Sequence, residues 1–217
     1  MRNTEGSAYE RIIAAAAKLF ASQGFDGTTT RQIVAEAGSS LSAIQNHFQS
    51  KEALYRAVLE RASEKFYAVN SSILEEIERE DRQGILRGEV AWDRTAELIG
   101  QLVEWAFNED YFYEIKVINI EYLRMGKNGE LLDSVLGLYD TFEMLFSRYT
   151  GREKEPWMSM LSFTVVSTAF DCANYRNVLG KVTKRDLDLP ENRREVKAFL
   201  KNYLLNSLRA NLEMYKK

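Results

Sequence analysis

The chain has 217 residues, of which 45% are hydrophobic, 28% charged and 12% aromatic, and its formal net charge at pH 7 is −3. This composition excludes an intrinsically disordered protein and allows a substantial core, in one domain or in a small domain joined to a larger one. No apolar run is long enough for a membrane span, no secretory signal pattern occurs at the N-terminus, and Cys172 is the single cysteine. We therefore expect a soluble, cytoplasmic protein without disulfides or a membrane partner.

The charge is distributed almost evenly along the chain. Residues 1–67 carry 8 Lys and Arg against 7 Asp and Glu, which leaves a mildly acidic remainder. If the first segment binds a polyanion, it must do so through a local patch rather than through the overall field.

The first element in chain order is a predicted helix from about Ser7 to Gln23, with Gly24 in the place of a C-terminal cap. Thr29 and Gln32 form a capping-box pattern for a second, short helix that Gly38 ends. A turn then leads to the stretch "SSLSAIQNHFQSK", in which Ser40 and Ser50 are typical N-caps. The pattern predicts a third helix from Leu41 to about Phe48 and a fourth that begins at Lys51.

The fourth helix is predicted to be long, because apolar residues recur every three or four positions over about 30 residues. These positions are Leu54, Val58, Ala62, Phe66, Val69, Ile73 and Ile77. Later helices are expected at about 91–108, 111–127, 130–149, 156–179 and 190–215, and Pro156 and Pro190 stand at two helix starts. The sequence thus predicts an all-α protein.

The second and third helices, with their glycine-containing turn, are spaced as in a helix-turn-helix, whose second helix can enter the DNA major groove. The third helix would point Ala43, Ile44 and Phe48 inward and Ser42, Gln45, Asn46 and His47 outward. Gln and Asn side chains can form paired hydrogen bonds with adenine. Periodicity alone leaves open a solvated surface helix with no such role.

The stretch from about Tyr9 to Leu54 resembles the DNA-binding domain of the TetR family of bacterial regulators. The similarity runs through "ERIIAAAAKLFASQGFDGTTTRQIVAEAGSSLSAIQNHFQSKEALYRAV". It implies a helix-turn-helix domain at residues 6–54, joined by a long helix to an effector-binding and dimerisation bundle at residues 55–217.

The resemblance also implies which residues face DNA. Gln45 stands where the family usually places Tyr, and Leu41 where it often has Lys or Arg. A helix so poor in charge must leave phosphate contacts to other residues, such as those at helix starts. The expected DNA-binding residues are Thr29, Thr30, Ser40, Leu41, Ser42, Gln45, Asn46, His47 and Lys51.

Two later helices are candidates for a dimer interface. The segment "WMSMLSFTVVSTAF" is apolar nearly all round, and the last helix carries a leucine and aromatic stripe. Resemblance to the family suggests that both pair with their copies in a four-helix interface; the alternative is two buried helices of a monomer. The interface residues expected are Phe163, Val166, Phe170, Phe199, Tyr203 and Leu208.

Aromatic residues concentrate between Trp92 and Phe146, where some could line an effector pocket and others form core. The pocket residues expected are Trp105, Tyr111, Tyr122, Phe142, Asp171, Asn174 and Tyr175.

The leading hypothesis is a homodimeric regulator, most simply a repressor, released from a near-palindromic operator by a small-molecule effector. A DNA-binding protein controlled by a protein partner is an alternative. An all-α enzyme is disfavoured, because the only histidine, His47, has Ile44 where a carboxylate-bridged metal site needs Glu. We therefore expect no catalytic residues, no metal and no cofactor.

Overall fold

The computed structural model describes residues 7–123 and 133–216, apart from the side chains of residues 122–123 and 133–135. Within these residues the fold is built from α-helices and no strand occurs, so the all-α prediction is confirmed. The helices are α1 Ala8–Gly27, α2 Thr30–Ala37, α3 Leu41–His47, α4 Lys51–Arg82, α5 Glu89–Ala106, α6 Phe112–Leu123, α7 Asp133–Thr150, α8 Pro156–Asn174, α9 Arg176–Thr183 and α10 Pro190–Met214, with a short 3₁₀ turn at Glu109–Tyr111 before α6.

Serine and threonine side chains begin the first four helices, and three of them, Thr29, Ser40 and Ser50, are the caps that the sequence predicts. Ser7, Ser40 and Ser50 each accept a hydrogen bond from the backbone N–H three residues later. Thr29 does the same for α2, and the Gln32 side chain accepts from the Thr29 backbone N–H in return. These side chains satisfy N–H groups that a helix start leaves without partners.

The structure confirms one predicted helix end and changes another. Gly24 adopts a non-helical conformation with a φ of 73°, so the first helix kinks where the sequence places its C-terminal cap, and residues 25–27 form one further turn of α1 beyond the kink. The single helix predicted over 156–179 is wrong. It divides at Tyr175, whose ψ of 24° leaves the helical range, while the Asn174 side-chain amide donates to the Phe170 carbonyl 2.8 Å away. An amide that bonds the backbone locally in this way competes with helix continuation.

The chain forms two compact units. The N-terminal unit takes the described residues of 1–65 and 111–132, and the bundle unit takes those of 66–110 and 133–217. Helix α4 therefore contributes to both units, and α6 belongs to the N-terminal unit although it follows α5 in the chain.

The N-terminal unit is packed around the apolar face of α1. Ile12, Ile13 and Phe20 are fully buried there, and Phe20 and Phe25 both contact the ring of Tyr55, with centroids 5.0 and 5.2 Å away. Helix α6 packs against α1 and brings in a buried carboxylate, Glu121, which accepts a hydrogen bond from the Tyr55 hydroxyl at 2.9 Å.

The core of the bundle unit lies between α5, α7, α8 and α10. It is mostly leucine and phenylalanine, with Leu98 and Leu102 from α5, Phe142 and Phe146 from α7, and a leucine at every fourth position of α10 from Leu200.

The predicted apolar stripe of α4 is wrong at one position. Val69 is 53% exposed, whereas the polar neighbour Asn70 is completely buried and donates to the Phe66 carbonyl at 2.7 Å. The other six predicted positions are buried. A helical repeat indicates the buried face only to within about one residue, because the stripe spans roughly 100°.

A four-charge cluster joins the end of α4 to α5 within the bundle unit. The Arg94 guanidinium donates twice to Glu80, at 2.9 Å for both bonds, and also pairs with Glu76 and Glu97. The hydrogen bonds from Arg94 hold the pKa of the Glu80 carboxyl below its ordinary value, although its burial opposes the shift.

This shift predicts how Glu80 affects stability as the pH changes. A lowered pKa in the folded state means that the carboxylate stabilises the fold above its ordinary pKa of 4.5 and loses that effect as the pH falls through its lower folded value. We expect Glu80→Gln to lower the free energy of unfolding near neutral pH and to converge with the wild type once the pH falls below the lowered pKa of Glu80. Urea denaturation across this pH range measures the difference, and two parallel curves would contradict it.

Candidate functional site

The turn between α2 and α3 fixes where the third helix begins. Gly38 adopts a left-handed φ of 56°, and the Ser39 N–H donates to the Val34 carbonyl at 2.9 Å, which closes the end of α2. One residue later the Ser40 hydroxyl caps α3. Two short helices thus meet at a sharp, fully hydrogen-bonded turn, which is the geometry of a helix-turn-helix.

Helix α3 has one anchored face. Ile44 is 3% exposed, and Phe48, four residues later, is 5% exposed. The ring of Tyr9 stacks on Phe48 with centroids 5.0 Å apart. Ala43 is half-buried beside them. These contacts fix the rotation of the helix about its axis.

The opposite face of α3 is exposed. It presents a continuous set of polar side chains with one apolar residue: Leu41, Ser42, Gln45, Asn46 and His47. Every side chain that the sequence predicts to face outward from α3 is exposed in the structure. The face carries no Lys or Arg, so it offers hydrogen bonds and an apolar contact to base edges rather than charge to phosphates.

The predicted residues at the other helix starts have structural partners as well. The Thr29 hydroxyl is engaged with Gln32 in the cap of α2, Thr30 is half-buried, and the Ser40 hydroxyl lies 2.8 Å from that of Ser42. Arg31, exposed in the first turn of α2, is a cation that the sequence patterns did not single out. Its position beside Thr30 is the only signal that could have indicated it.

Lys51 has a structural role that the sequence did not indicate. Its ammonium group donates to the carbonyls of Phe25 and Thr28, at 3.0 and 3.1 Å, and lies 4.1 Å from the centre of the Phe25 ring. It thereby ties the loop after α1 to the start of α4. An ammonium has three N–H donors, so one remains for a phosphate, and that contact stays a prediction.

His47 lies at the exposed end of α3, where its ring makes an edge contact with Tyr9 at 5.9 Å. Across the part of the chain that the structure describes, no group of three His, Cys, Asp or Glu side chains could hold a metal ion. None of the described helices has the length and apolar character that a bilayer crossing requires.

The residues predicted to line an effector pocket do not share one environment. Tyr111 belongs to the N-terminal unit and lies under the Lys65 ammonium, and the side chain of Tyr122 is outside the described residues. In the bundle unit, Trp105 and Phe142 are buried and Asn174 is half-buried. Asp171 and Tyr175 are exposed at the end of α8, and their contact with an effector stays a prediction.

The predicted interface residues divide into two groups. Phe163 is 54% exposed, Phe199 is 71% exposed, and Tyr203 is also exposed with its ring stacked beside that of Phe199. The prediction is wrong for Val166, Phe170 and Leu208, which pack inside the bundle unit and so belong to the core of one chain. Met160, one turn before Phe163, is a large exposed apolar residue that the sequence reasoning missed.

The helix-turn-helix and the exposed polar face of α3 together are typical of a DNA-binding domain. Residues 12–58 match the family model described as bacterial regulatory proteins, tetR family. The N-terminal segment of the chain is therefore similar to the DNA-binding domain of the TetR family, and the resemblance found in its sequence is confirmed.

Individual relatives agree with this assignment. YerO, an uncharacterized HTH-type transcriptional regulator of Bacillus subtilis strain 168, is 47% identical over 51 residues, which span 24% of this chain and only 18% of YerO. The crystal structure of AibR in complex with isovaleryl coenzyme A and operator DNA has a TM-score of 0.68 at 16% identity, over 92% of this chain and 98% of that one. FadR from Bacillus subtilis in complex with stearoyl-CoA has a TM-score of 0.59 at 17% identity, over 91% and 97%. At these identities the two structures show a shared fold.

The role of Lys51 can be tested by removing its ammonium group. We expect Lys51→Met to lower the free energy of unfolding by about 1–3 kcal/mol, because two part-buried carbonyls lose a charged donor. Lys18→Met is the matched control, since Lys18 pairs with Glu36 at an exposed position, and such a pair is worth no more than about 1 kcal/mol. Urea denaturation compares them, and equal effects of the two substitutions would refute the structural role.

Proposed function

We propose that this protein is a homodimeric transcriptional repressor that binds a near-palindromic operator and releases it when a small-molecule effector binds the bundle unit. The exposed polar face of α3, held in place by Ile44 and Phe48, is the observation that supports this proposal most directly. The proposal assigns residues 6–54 to DNA binding and residues 55–217 to the effector and the second subunit.

We assign base recognition to the side chains on the exposed face of α3. Gln45 and Asn46 are exposed and can each form two hydrogen bonds with an adenine, and Leu41 can contact a thymine methyl. We assign phosphate binding to the start of α2, where Thr30 and Arg31 adjoin free backbone N–H groups. The remaining N–H of the Lys51 ammonium is the second proposed phosphate donor.

The dimer is proposed to form through the outer faces of α8 and α10. Met160 and Phe163 are exposed on α8, and Phe199 and Tyr203 on α10, although large apolar side chains are usually buried. A two-fold axis would pair each of these faces with its own copy. Two copies of α3 then require half-sites about 10 bp apart, or a multiple of that.

The effector class to test first is acyl-coenzyme A thioesters. The structures of AibR and FadR are complexes with isovaleryl coenzyme A and stearoyl-CoA, respectively. An effector acts only if it binds the DNA-free state more tightly than the DNA-bound state, and a shift from 1% to 99% release needs about a 10⁴-fold difference in affinity. Helix α4, shared by both units, is the proposed route of communication.

Base reading by α3 predicts a specific loss of operator affinity. We expect Gln45→Ala and Asn46→Ala each to weaken binding to the operator by about 1–3 kcal/mol, because each substitution removes one bidentate contact. Binding to unrelated DNA should not change. Gel shifts with the DNA upstream of the protein's own gene, and with scrambled DNA, measure both quantities.

The matched control is Gln83→Ala, which truncates an exposed glutamine just beyond the end of α4. It should bind both DNAs as the wild type does. Equal losses on operator and scrambled DNA for the α3 variants would exclude base reading.

The proposed dimer face predicts that a charge at Phe199 separates the subunits. Phe199→Asp would place an unpaired carboxylate in an apolar interface, which is strongly unfavourable, so we expect monomers in sedimentation velocity. Ile85→Asp, which alters an exposed apolar residue outside α8 and α10, should leave the dimer intact. If Phe199→Asp remains dimeric, the interface lies elsewhere.

A further inference from the structure

A second candidate site lies entirely within the bundle unit, where α5 and α10 form the two walls of an open cleft. Its volume is about 590 Å³, within the range of sites that hold small organic molecules. Its lining combines apolar, aromatic and cationic side chains, including Val69, Gln101, Trp105, Ala198, Arg194 and Lys201.

Trp105 carries the strongest sign of a ligand. The side chain is only 3% exposed, and its indole N–H has no hydrogen-bond partner among the described residues. Edge contacts with Phe66 and Phe170, at centroid distances of 4.9 and 5.5 Å, hold the ring from two sides. Buried donors and acceptors are normally satisfied, so a polar partner is expected here.

The charges of the cleft favour an anion. Each of the two carboxylates that line the cleft forms an ion pair, Glu104 with Lys197 and Glu97 with Arg94. In the described part of the chain, Arg194 and Lys201 have no ion-pair partner, although both line the cleft. Two uncompensated cations and a residue with a buried N–H donor, all lining one cleft, match the requirements of a carboxylate head group.

Gly100 places one of these cations. A β-carbon at this position would lie 2.8 Å from the Lys201 ammonium nitrogen, so the glycine makes room for that group against the surface of α5.

We infer that the cleft between α5 and α10 binds a small organic carboxylate with an apolar body. The carboxylate accepts hydrogen bonds from Lys201, Arg194 and the Trp105 indole, while its apolar body packs on Val69 and Ala198. The inference that the cleft binds a carboxylate depends only on the structure of the cleft. The further idea that this ligand releases DNA rests on the proposed function.

Calorimetry of the full-length protein with octanoate tests the site, with 1-octanol as the neutral analogue of the same chain length. We expect octanoate to bind and 1-octanol to bind at least about tenfold more weakly, because a charged hydrogen-bonded head group contributes at least that factor. Lys201→Met should weaken octanoate binding by about the same factor. Lys181→Met, which removes an exposed lysine of α9 outside the cleft, should bind as the wild type does.

Gly100→Ala provides a second variant that favours the helix while displacing the Lys201 ammonium. It should also weaken octanoate binding, with thermal unfolding used to confirm that the variant is folded. Absence of octanoate binding, or binding that Lys201→Met and Gly100→Ala both leave unchanged, would overturn the site.

A gel shift with octanoate measures DNA release, whereas the calorimetry measures ligand binding, so the two experiments test separate claims. Octanoate that binds through Lys201 without releasing DNA supports the site and removes its effector role. DNA release by another compound, with no octanoate binding, overturns the site and leaves the proposed function standing.

Discussion

The burial of Ile44 and Phe48 is the constraint on which the proposed DNA-reading site depends. Isolated helices shorter than about 12 residues are marginal in water, because nucleation is costly. Helix α3 has 7 residues and owes its stability to these two anchors and to the Ser40 cap. The same contacts that make the helix stable also determine which side chains it exposes, so its fold and its proposed function have one physical origin.

The anchoring core extends from α3 to the helices by which the chain leaves the N-terminal unit. Phe20 and Phe25 pack on Tyr55 of α4, and Lys51 ties the start of α4 to the carbonyls of Phe25 and Thr28. The Tyr55 hydroxyl in turn bonds Glu121 of α6. A displacement of α4 or α6 would therefore act first on α1, which packs against α3, and this is the proposed route of effector control.

Local patterns in the sequence predicted the features that depend on near neighbours. The caps at Thr29, Ser40 and Ser50 and the outward face of α3 need only residues three or four positions apart, and all lie as predicted. The family resemblance supplied the DNA-facing role of that face.

Features that depend on distant residues could not be predicted in this way. Lys51 bonds carbonyls 23 and 26 residues away, and the exposed position of Val69 depends on how α4 packs in the bundle unit. The cleft at Trp105 needs residues of α5 and α10, about a hundred positions apart in the sequence, to meet around one ring. Its signal in the sequence was a tryptophan among many aromatic residues, which is equally typical of a core.

Selection of binding sites from a random DNA pool by the purified protein tests the central claim most directly, because it assumes nothing about the operator. If two copies of α3 read DNA in a symmetric dimer, the enriched sequence will be a near-palindrome with half-site centres about 10 bp apart, or a multiple of that. Enrichment of no sequence above the starting pool, or of a single unrepeated half-site, would contradict a dimeric, sequence-reading repressor.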